Sequence, residues 1–235
     1  MNPEHLTVWA CPYQKYRLGE PHDGGYVLCH LPSVQYDVLL SGGIGAHCTF
    51  EDHMLEKYPN LVCKAYDGSI DFAPTRYPER FHFHAQNIGT DESNNLKHIL
   101  RAHKTVFVKM DIEGDEFPWF DCLEPELMEN IAQIAIEFHE PFEERHDRVF
   151  QKLNKTHILV HLHGNNYAAA RMYKGILFPT VFECCYIHRR FIEGIQLEKN
   201  TIPLPCAVDR ANSWGQPDIP LHTPPFCFAA PTADS

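Results

Sequence analysis

The chain has 235 residues, of which 44% are hydrophobic and 22% are charged. This balance is typical of a globular protein, and the absence of any run of about 18 apolar residues argues against a membrane span. The 20 basic and 31 acidic residues give a formal net charge of -11, which disfavours nucleic acid as a partner. The nine cysteines include no Cys-x-x-Cys pair, so we expect reduced thiols and a cytoplasmic location.

The chain begins with a segment that precedes the predicted sheet. Within residues 1–35, Asp23-Gly24-Gly25 is a strong hairpin-turn signal, and this turn can fold over a neighbouring site. At the other end, residues 203–235 are rich in proline and predicted to be irregular. We interpret both segments as parts of one domain that spans residues 1–235.

Seven short apolar segments between these two ends predict strands. Apolar residues at helical spacing predict helices between some of them, over residues 49–57, 92–103 and 142–155. Because strands and helices alternate, we expect an α/β fold with a Rossmann-like, doubly wound, mostly parallel seven-stranded sheet and helices on both faces. In chain order, the predicted strands are residues 36–41, 61–66, 81–85, 105–110, 131–138, 158–163 and 178–187.

A glycine-rich turn follows the first of these strands. Its sequence is Ser41-Gly42-Gly43-Ile44-Gly45, and a predicted helix comes next. Glycine lets the backbone turn tightly and brings its amides close to a ligand. We therefore expect a nucleotide-type cofactor to contact Ser41, Gly42, Gly43 and Gly45, although a tight turn without a ligand is the alternative.

Polar residues end the next two predicted strands. Asp67 follows the second strand, where a carboxylate can accept hydrogen bonds from both ribose hydroxyls and repel a 2'-phosphate. Asn87 follows the third strand and can bond to an adenine edge. The turn lacks the full Gly-x-Gly-x-x-Gly spacing and any Gly-Lys-Ser/Thr, so a cofactor without phosphates is favoured over pyrophosphate or a nucleoside triphosphate.

An acidic motif follows the fourth predicted strand, and it carries a family resemblance. Residues 109–116 (KMDIEGDE) resemble the Lys-x-Asp-x-Glu-Gly-x-Glu signature of the FkbM-type methyltransferases. Residues 40–51 (LSGGIGAHCTFE) are similar to that family's glycine turn, and residues 17–27 (RLGEPHDGGYV) resemble the opening of one branch. The resemblance implies a fold of the class I methyltransferase type, S-adenosyl-L-methionine as cofactor, and O-methyl transfer. The expected acceptor is a sugar or glycan hydroxyl, and the chain can be a module of a larger glycan-synthesis protein.

Methyl transfer to a hydroxyl requires a group that removes the acceptor proton as the oxygen attacks. Asp111 is our first candidate for this base, and we also expect it to contact the cofactor. Glu137 and His139 share one face of the fifth predicted strand. With Asp111 they are candidate ligands for Mg²⁺ or Mn²⁺; alternatively, His139 acts alone as the base and Glu137 orients its neighbour.

Further polar residues are candidates for the acceptor side of the site. His163 ends the sixth predicted strand and is a third candidate catalytic residue. The amides of Asn165 and Asn166 follow it, and such groups suit a polyhydroxylated substrate, although an Asx turn is the alternative. Glu113 and Asp23 complete the candidate acceptor-binding residues.

Two other functions use the same motifs. An NAD-dependent sugar oxidoreductase or epimerase would use the glycine turn and Asp67, but the chain has no Tyr-x-x-x-Lys pair. A glycan-binding module that retains the fold without activity is the non-enzymatic alternative.

Overall fold

The computed structural model describes residues 1–91 and 93–229. The first residue of the helix predicted over 92–103 and the end of the segment predicted over 203–235 lie outside the described residues. The strands are β1 (Lys15–Gly19), β2 (Gly25–Cys29), β3 (Val38–Gly42), β4 (Cys63–Tyr66), β5 (Phe81–His84), β6 (Val106–Met110), β7 (Ile131–His139), β8 (His157–Gly164), β9 (Ala170–Tyr173), β10 (Ile176–Pro179) and β11 (Val181–His188). The helices are α1 (Thr49–Lys57), α2 (Lys97–Ala102), α3 (Glu116–Asp121), α4 (Pro125–Met128) and α5 (His146–Thr156).

Seven strands form the central sheet, in the order β5-β4-β3-β6-β7-β11-β8. Neighbours from β5 to β7 are parallel, and β11 is antiparallel to both β7 and β8. The chain moves outward from β3 through β4 to β5, then returns to β6 on the other side of β3. This reversal leaves a crevice at the carboxyl ends of β3 and β6, where open α/β sheets bind their ligands. The predicted Rossmann-like, mostly parallel seven-stranded fold is confirmed.

Elements on both faces bury the sheet. On one face, Phe50 and Met54 of α1 pack with Leu39 and Phe107, and the β1–β2 hairpin lies on the same side. On the other face, side chains of α2 to α5 pack against alternate residues of the same strands. Because both faces are covered, every residue of these central strands except His139 is buried. Among the described residues, no helix combines the length and apolarity that crossing a bilayer requires.

The structure differs from three of the predicted elements, the first of which is the helix predicted over 92–103, because α2 begins only at Lys97. The single strand predicted over 178–187 is wrong, because β10 ends at Pro179 and β11 begins at Val181. Thr180 lies between them, and its amide and hydroxyl both donate to the carbonyl of Ala169, at 3.0 and 2.7 Å. The helix predicted from residue 142 begins only at His146, because the preceding residues form turns. Helices α3 and α4 and the β9–β10 hairpin were not predicted.

Candidate cofactor and acceptor site

A cavity of about 590 Å³ lies at the carboxyl ends of β3, β4 and β6. Among the predicted cofactor residues, Gly43, Gly45, Asp67, Asn87 and Asp111 line it. Seven acidic side chains and one lysine line the cavity, so its wall favours positively charged ligands over anions. The acidic residues are Glu20, Asp23, Glu51, Asp67, Asp111, Glu113 and Asp115.

The glycine turn makes a close backbone approach that a side chain would prevent. Gly43 has φ of +69°, and a Cβ at this position would lie 1.5 Å from the carbonyl oxygen of Asp111. The amide of Gly43 donates to the carbonyl of Tyr66 at 2.9 Å. The turn is therefore fixed to the ends of both neighbouring strands.

Lys109 supports the turn from beneath. This lysine of β6 is 4% exposed, and its Nζ donates to the carbonyls of Gly42, at 3.3 Å, and Gly43. The ammonium of Lys109 is thus already hydrogen-bonded to two backbone oxygens. The sequence motif contained Lys109, but no role for it had been inferred.

Ser41 and Gly42 lie below the turn and not in the cavity wall, which differs from the contact predicted for them. Ser41 is fully buried, and its hydroxyl donates to Glu51 Oε1 at 2.5 Å. Burial raises the pKa of Glu51, although the charge of Lys109 opposes this. Ser41 therefore orients Glu51, which does line the cavity.

Asp67 closes the turn from the end of β4. Its Oδ2 accepts from the amide of Gly45 at 2.9 Å, and its Oδ1 accepts from the amide and hydroxyl of Ser69 at 2.8 and 2.6 Å. Partial burial opposes ionisation of Asp67, but these hydrogen bonds outweigh it and lower the pKa. The carboxylate is therefore charged at neutral pH and held at the cavity wall.

Asp111 has one oxygen that is bonded and one that is unpaired. The hydroxyl of Tyr26, a residue of β2, donates to Asp111 Oδ2 at 3.0 Å. Asp111 Oδ1 is buried and has no hydrogen-bond partner in the described parts of the chain. Sequence reasoning missed Tyr26, whose only signal was its place in the Asp-Gly-Gly-Tyr stretch.

The loop after β6 is organised around Glu116. Glu113 has φ of +59°, and its side chain is 87% exposed at the rim. The fully buried carboxylate of Glu116 accepts from the amides of Ile112 and Gly114, at 2.8 and 3.1 Å. Glu116 thereby fixes the loop that presents Asp111, Glu113 and Asp115 to the cavity.

His139 bridges carboxylates and does not line the cavity. Its Nδ1 lies 3.2 Å from Glu116 Oε1, and its Nε2 lies 3.3 Å from Glu137 Oε1. Burial alone would lower the pKa of His139, but the hydrogen bonds to Glu116 and Glu137 raise it to about 11. In this arrangement the ring is an imidazolium with no free lone pair, which differs from the role of base predicted for it.

Glu137 belongs to two groups of potential metal ligands. Ligand atoms of Asp111, Glu137 and His139, the predicted metal residues, all lie within 4.8 Å of one another. A second group consists of Asp23, Glu137 and Glu183. Burial, together with the charges of Asp111 and Glu183, raises the pKa of Glu137 to about 7, although the hydrogen bond to His139 opposes this.

His163, a predicted catalytic residue, lies behind the cavity wall. It is 1% exposed, with Nε2 3.0 Å from Asp218 Oδ1 and Nδ1 3.5 Å from Glu183 Oε2. Burial lowers the pKa of His163, but the hydrogen bonds to these two carboxylates raise it to about 10. The ring is therefore a buried cation that joins β8, β11 and the C-terminal segment.

The two amides predicted to bind the acceptor are both buried. Asn165 Nδ2 donates to Glu137 Oε2 at 3.0 Å, while its Oδ1 accepts from the amide of Tyr167 at 2.9 Å in an Asx turn. Asn166 Nδ2 donates to the carbonyls of Ser213 and Gln216, at 3.1 and 2.9 Å. Asn166 therefore anchors the C-terminal segment, which differs from the predicted contact with an acceptor.

No protein-family model and no curated protein matches the chain. Solved structures with a similar fold include a fibrillarin/Nop5p complex, with 9% identity over 66% of this chain and 74% of that chain, and a TM-score of 0.37. The B. subtilis tRNA methyltransferase TrmK has 10% identity over 70% and 67%, with a TM-score of 0.34. The predicted O-methyltransferase Atu636 from Agrobacterium tumefaciens has 8% identity over 67% and 77%, with a TM-score of 0.36. At these values the likeness assigns no residue roles.

Proposed function

We propose that the chain is an S-adenosylmethionine-dependent O-methyltransferase acting on a hydroxyl of a sugar or glycan. The observation that carries this proposal is the acidic cavity at the reversal of strand order, with seven carboxylates in its wall and one lysine. S-adenosylmethionine brings a sulfonium and an ammonium but no phosphate. A negative wall stabilises such a ligand and repels one that carries phosphates.

The cavity offers groups for the ribose and the adenine of the cofactor. Asp67 is charged and held at the wall, and its Oδ2, which accepts only from Gly45, retains a lone pair for a ribose hydroxyl. Ile88 and Ile112 flank Gly42 and supply apolar surface for an adenine, while Asn87 supplies an amide for its edge. The resemblance of residues 109–116 to the FkbM-type signature supports the same cofactor.

Asp111 is the base in this proposal. When bound, S-adenosylmethionine supplies the methyl group from its sulfonium and leaves as S-adenosylhomocysteine. The unpaired Oδ1 of Asp111 accepts the proton of the attacking hydroxyl, while Tyr26 holds Oδ2 and thereby fixes the orientation of the carboxylate. Lys109 and Gly43 keep the turn beside Asp111 in place.

A sugar acceptor agrees with the surface next to Asp23. The indole of Trp214 is 83% exposed and lies 3.8 Å from the ring of His22, the residue before Asp23. Exposed aromatic faces stack on sugar rings, and carboxylates accept hydrogen bonds from sugar hydroxyls. TrmK is named for tRNA, but the acidic wall and the net charge of -11 disfavour a polyanionic acceptor here.

The competing enzyme, an NAD-dependent oxidoreductase or epimerase, would have to place two phosphates at this wall. The lysine in the wall is already bonded to the carbonyls of Gly42 and Gly43. A glycan-binding module without activity would need neither a charged Asp67 nor an unpaired oxygen on Asp111. Both alternatives are therefore less well supported than methyl transfer.

Calorimetric titration with S-adenosylhomocysteine and with NAD⁺ tests the proposal. We expect binding of S-adenosylhomocysteine and none of NAD⁺. Binding of NAD⁺ alone would establish the oxidoreductase, and binding of neither would refute a cofactor site. Mass spectrometry of a panel of sugars incubated with the protein and S-adenosylmethionine then identifies the acceptor by its added methyl group.

A further inference from the structure

Three carboxylates from separate parts of the chain converge beside the cavity. Glu137 of β7 and Glu183 of β11 are directly opposite each other in the antiparallel ladder, so both side chains point to the same face. Asp23, in the turn between β1 and β2, approaches them from above, and one oxygen of each residue lies within 4.8 Å of the others. Like charges in directly opposite positions destabilise a sheet. This arrangement therefore requires a compensating positive charge.

Buried polar atoms without partners point to the same location. Asn212 is fully buried, and its Nδ2 donates to Asp23 Oδ1 at 3.2 Å and to Glu183 Oε1 at 2.7 Å. Its Oδ1 has no hydrogen-bond partner in residues 1–91 and 93–229, and Oε2 of the 4% exposed Glu183 has only the longer ion pairs with His163 Nδ1, at 3.5 Å, and Arg17 Nη1, at 3.9 Å. Leaving buried polar atoms unsatisfied is costly. Rotating the amide of Asn212 by half a turn would direct its unpaired oxygen toward Asp23 and Glu183 and would break the two bonds that Nδ2 donates, so this orientation requires a cation between the oxygens.

The nearby cations are shared with other acceptors. Arg17 Nη1 lies 3.9 Å from Glu183 Oε2, but its guanidinium donates to the carbonyls of Gly25 and His22. The rings of His163 and His139 are likewise shared, with Asp218 and Glu116 respectively. The three carboxylates thus share these three cations with two backbone carbonyls and with two further carboxylates.

We propose that Asp23, Glu137 and Glu183, joined by the amide oxygen of Asn212, bind one divalent cation of the Mg²⁺ or Mn²⁺ class. The ligands are all oxygen, as these ions prefer, and their spacing of up to 4.8 Å is about twice a metal–oxygen distance of about 2.1–2.4 Å. This cluster differs from the predicted set in using Asp23 and Glu183 in place of Asp111 and His139.

The catalytic role of the cation rests on the proposed function, and its position next to the cavity suggests what that role is. Asp23 lines the cavity, whereas Glu137 and Glu183 lie behind it. A cation held there faces the acceptor side of the cavity and lowers the pKa of a hydroxyl that coordinates it. The proton that Asp111 accepts would then leave more easily.

Binding of Mn²⁺ to the full chain, followed by electron paramagnetic resonance without S-adenosylmethionine, tests the site. We expect one bound ion, with affinity weakened about tenfold or more in Glu183→Gln and in Asp23→Asn, since each removes one charged ligand. Asp115→Asn is the matched control, because Asp115 is an exposed carboxylate of the same cavity but belongs to neither group of ligands. We expect it to change affinity less than about threefold, whereas His139→Gln, which removes a positive charge 3.3 Å from Glu137, should not weaken binding. Asp23 is exposed in a turn, so its variant tests the site even if Glu183→Gln does not fold.

Each result supports or overturns the site. Unchanged affinity in Asp23→Asn, a larger loss in His139→Gln, or no Mn²⁺ binding by the folded wild-type protein overturns it. Calorimetry with S-adenosylhomocysteine is read separately. Cofactor binding without Mn²⁺ binding overturns the cation site and leaves the methyltransferase standing, whereas Mn²⁺ binding without cofactor binding does the reverse.

Discussion

The close approach of Gly43 to Asp111 makes a sharp prediction about stability. In Gly43→Ala the new Cβ would lie 1.5 Å from the carbonyl oxygen of Asp111, where a carbon and an oxygen need about 3.4 Å. The turn and the end of β6 must therefore separate by about 2 Å. The left-handed backbone costs alanine about 1–2 kcal/mol, and the forced shift adds about 1–3 kcal/mol. We expect a loss of about 2–5 kcal/mol in the free energy of unfolding.

Gly45→Ala is the matched control, since Gly45 also has a positive φ, of +57°, but a Cβ there meets no atom within 4 Å. It should cost only the backbone strain of about 1–2 kcal/mol. Urea denaturation followed by circular dichroism measures both losses. Equal losses in the two variants would show that the turn does not approach Asp111 as the structure has it.

Three further predictions concern the site and the core. Asp67→Asn should weaken S-adenosylhomocysteine binding about 10- to 100-fold in calorimetry, because hydrogen bonds to a charged acceptor are stronger than those to a neutral one. The control is Asp71→Asn, at an exposed position, which should leave the affinity unchanged. Equal affinities in the two variants would remove Asp67 from the cofactor site. Tyr26→Phe should lower methyl-transfer turnover about tenfold or more, because Asp111 loses the hydroxyl that orients it, and should leave S-adenosylhomocysteine binding intact. Unchanged turnover would show that Tyr26 does not position Asp111. Burial lowers the pKa of His157 to about 3, so only the unfolded chain takes up its proton as pH falls below about 6.5. Between about pH 7 and pH 5 the wild-type protein should lose about 2 kcal/mol of unfolding free energy more than His157→Gln; parallel losses in urea denaturation would contradict this.

The central sheet was predictable from the sequence because its strands are buried on both faces. Such strands are continuous apolar segments, and β3 to β8 all fall within a few residues of the predicted ranges. The break at Thr180 was not predictable, because apolar residues continue on both sides of it. Helix α3 was missed because Pro118 lies inside it and the preceding residues form an acidic loop.

The candidate site was predictable where it depends on local sequence and not where it depends on distant partners. Gly43 and Asp67 follow adjacent parallel strands, so their meeting at one edge of the sheet follows from strand order. The protonation of His139 depends on Glu116, 23 residues away, and the orientation of Asp111 depends on Tyr26, 85 residues away. Spacing along the chain contains no information about such pairs.

The β1–β2 turn and the segment around Asn212 meet above the sheet. His22 Nδ1 lies 2.9 Å from the carbonyl oxygen of Ala211, and Asn212 Nδ2 donates to Asp23 Oδ1 at 3.2 Å. Neither belongs to the seven strands that position Gly43 and Asp67. One side of the cavity is therefore formed by strand ends of the central sheet, and another side by the β1–β2 turn, which the segment around Asn212 contacts. Grafting different loops at residues 20–24 and 211–216 would therefore change one side of the cavity and remove the proposed cation ligands Asp23 and Asn212, while the strands that position Gly43 and Asp67 stay in place.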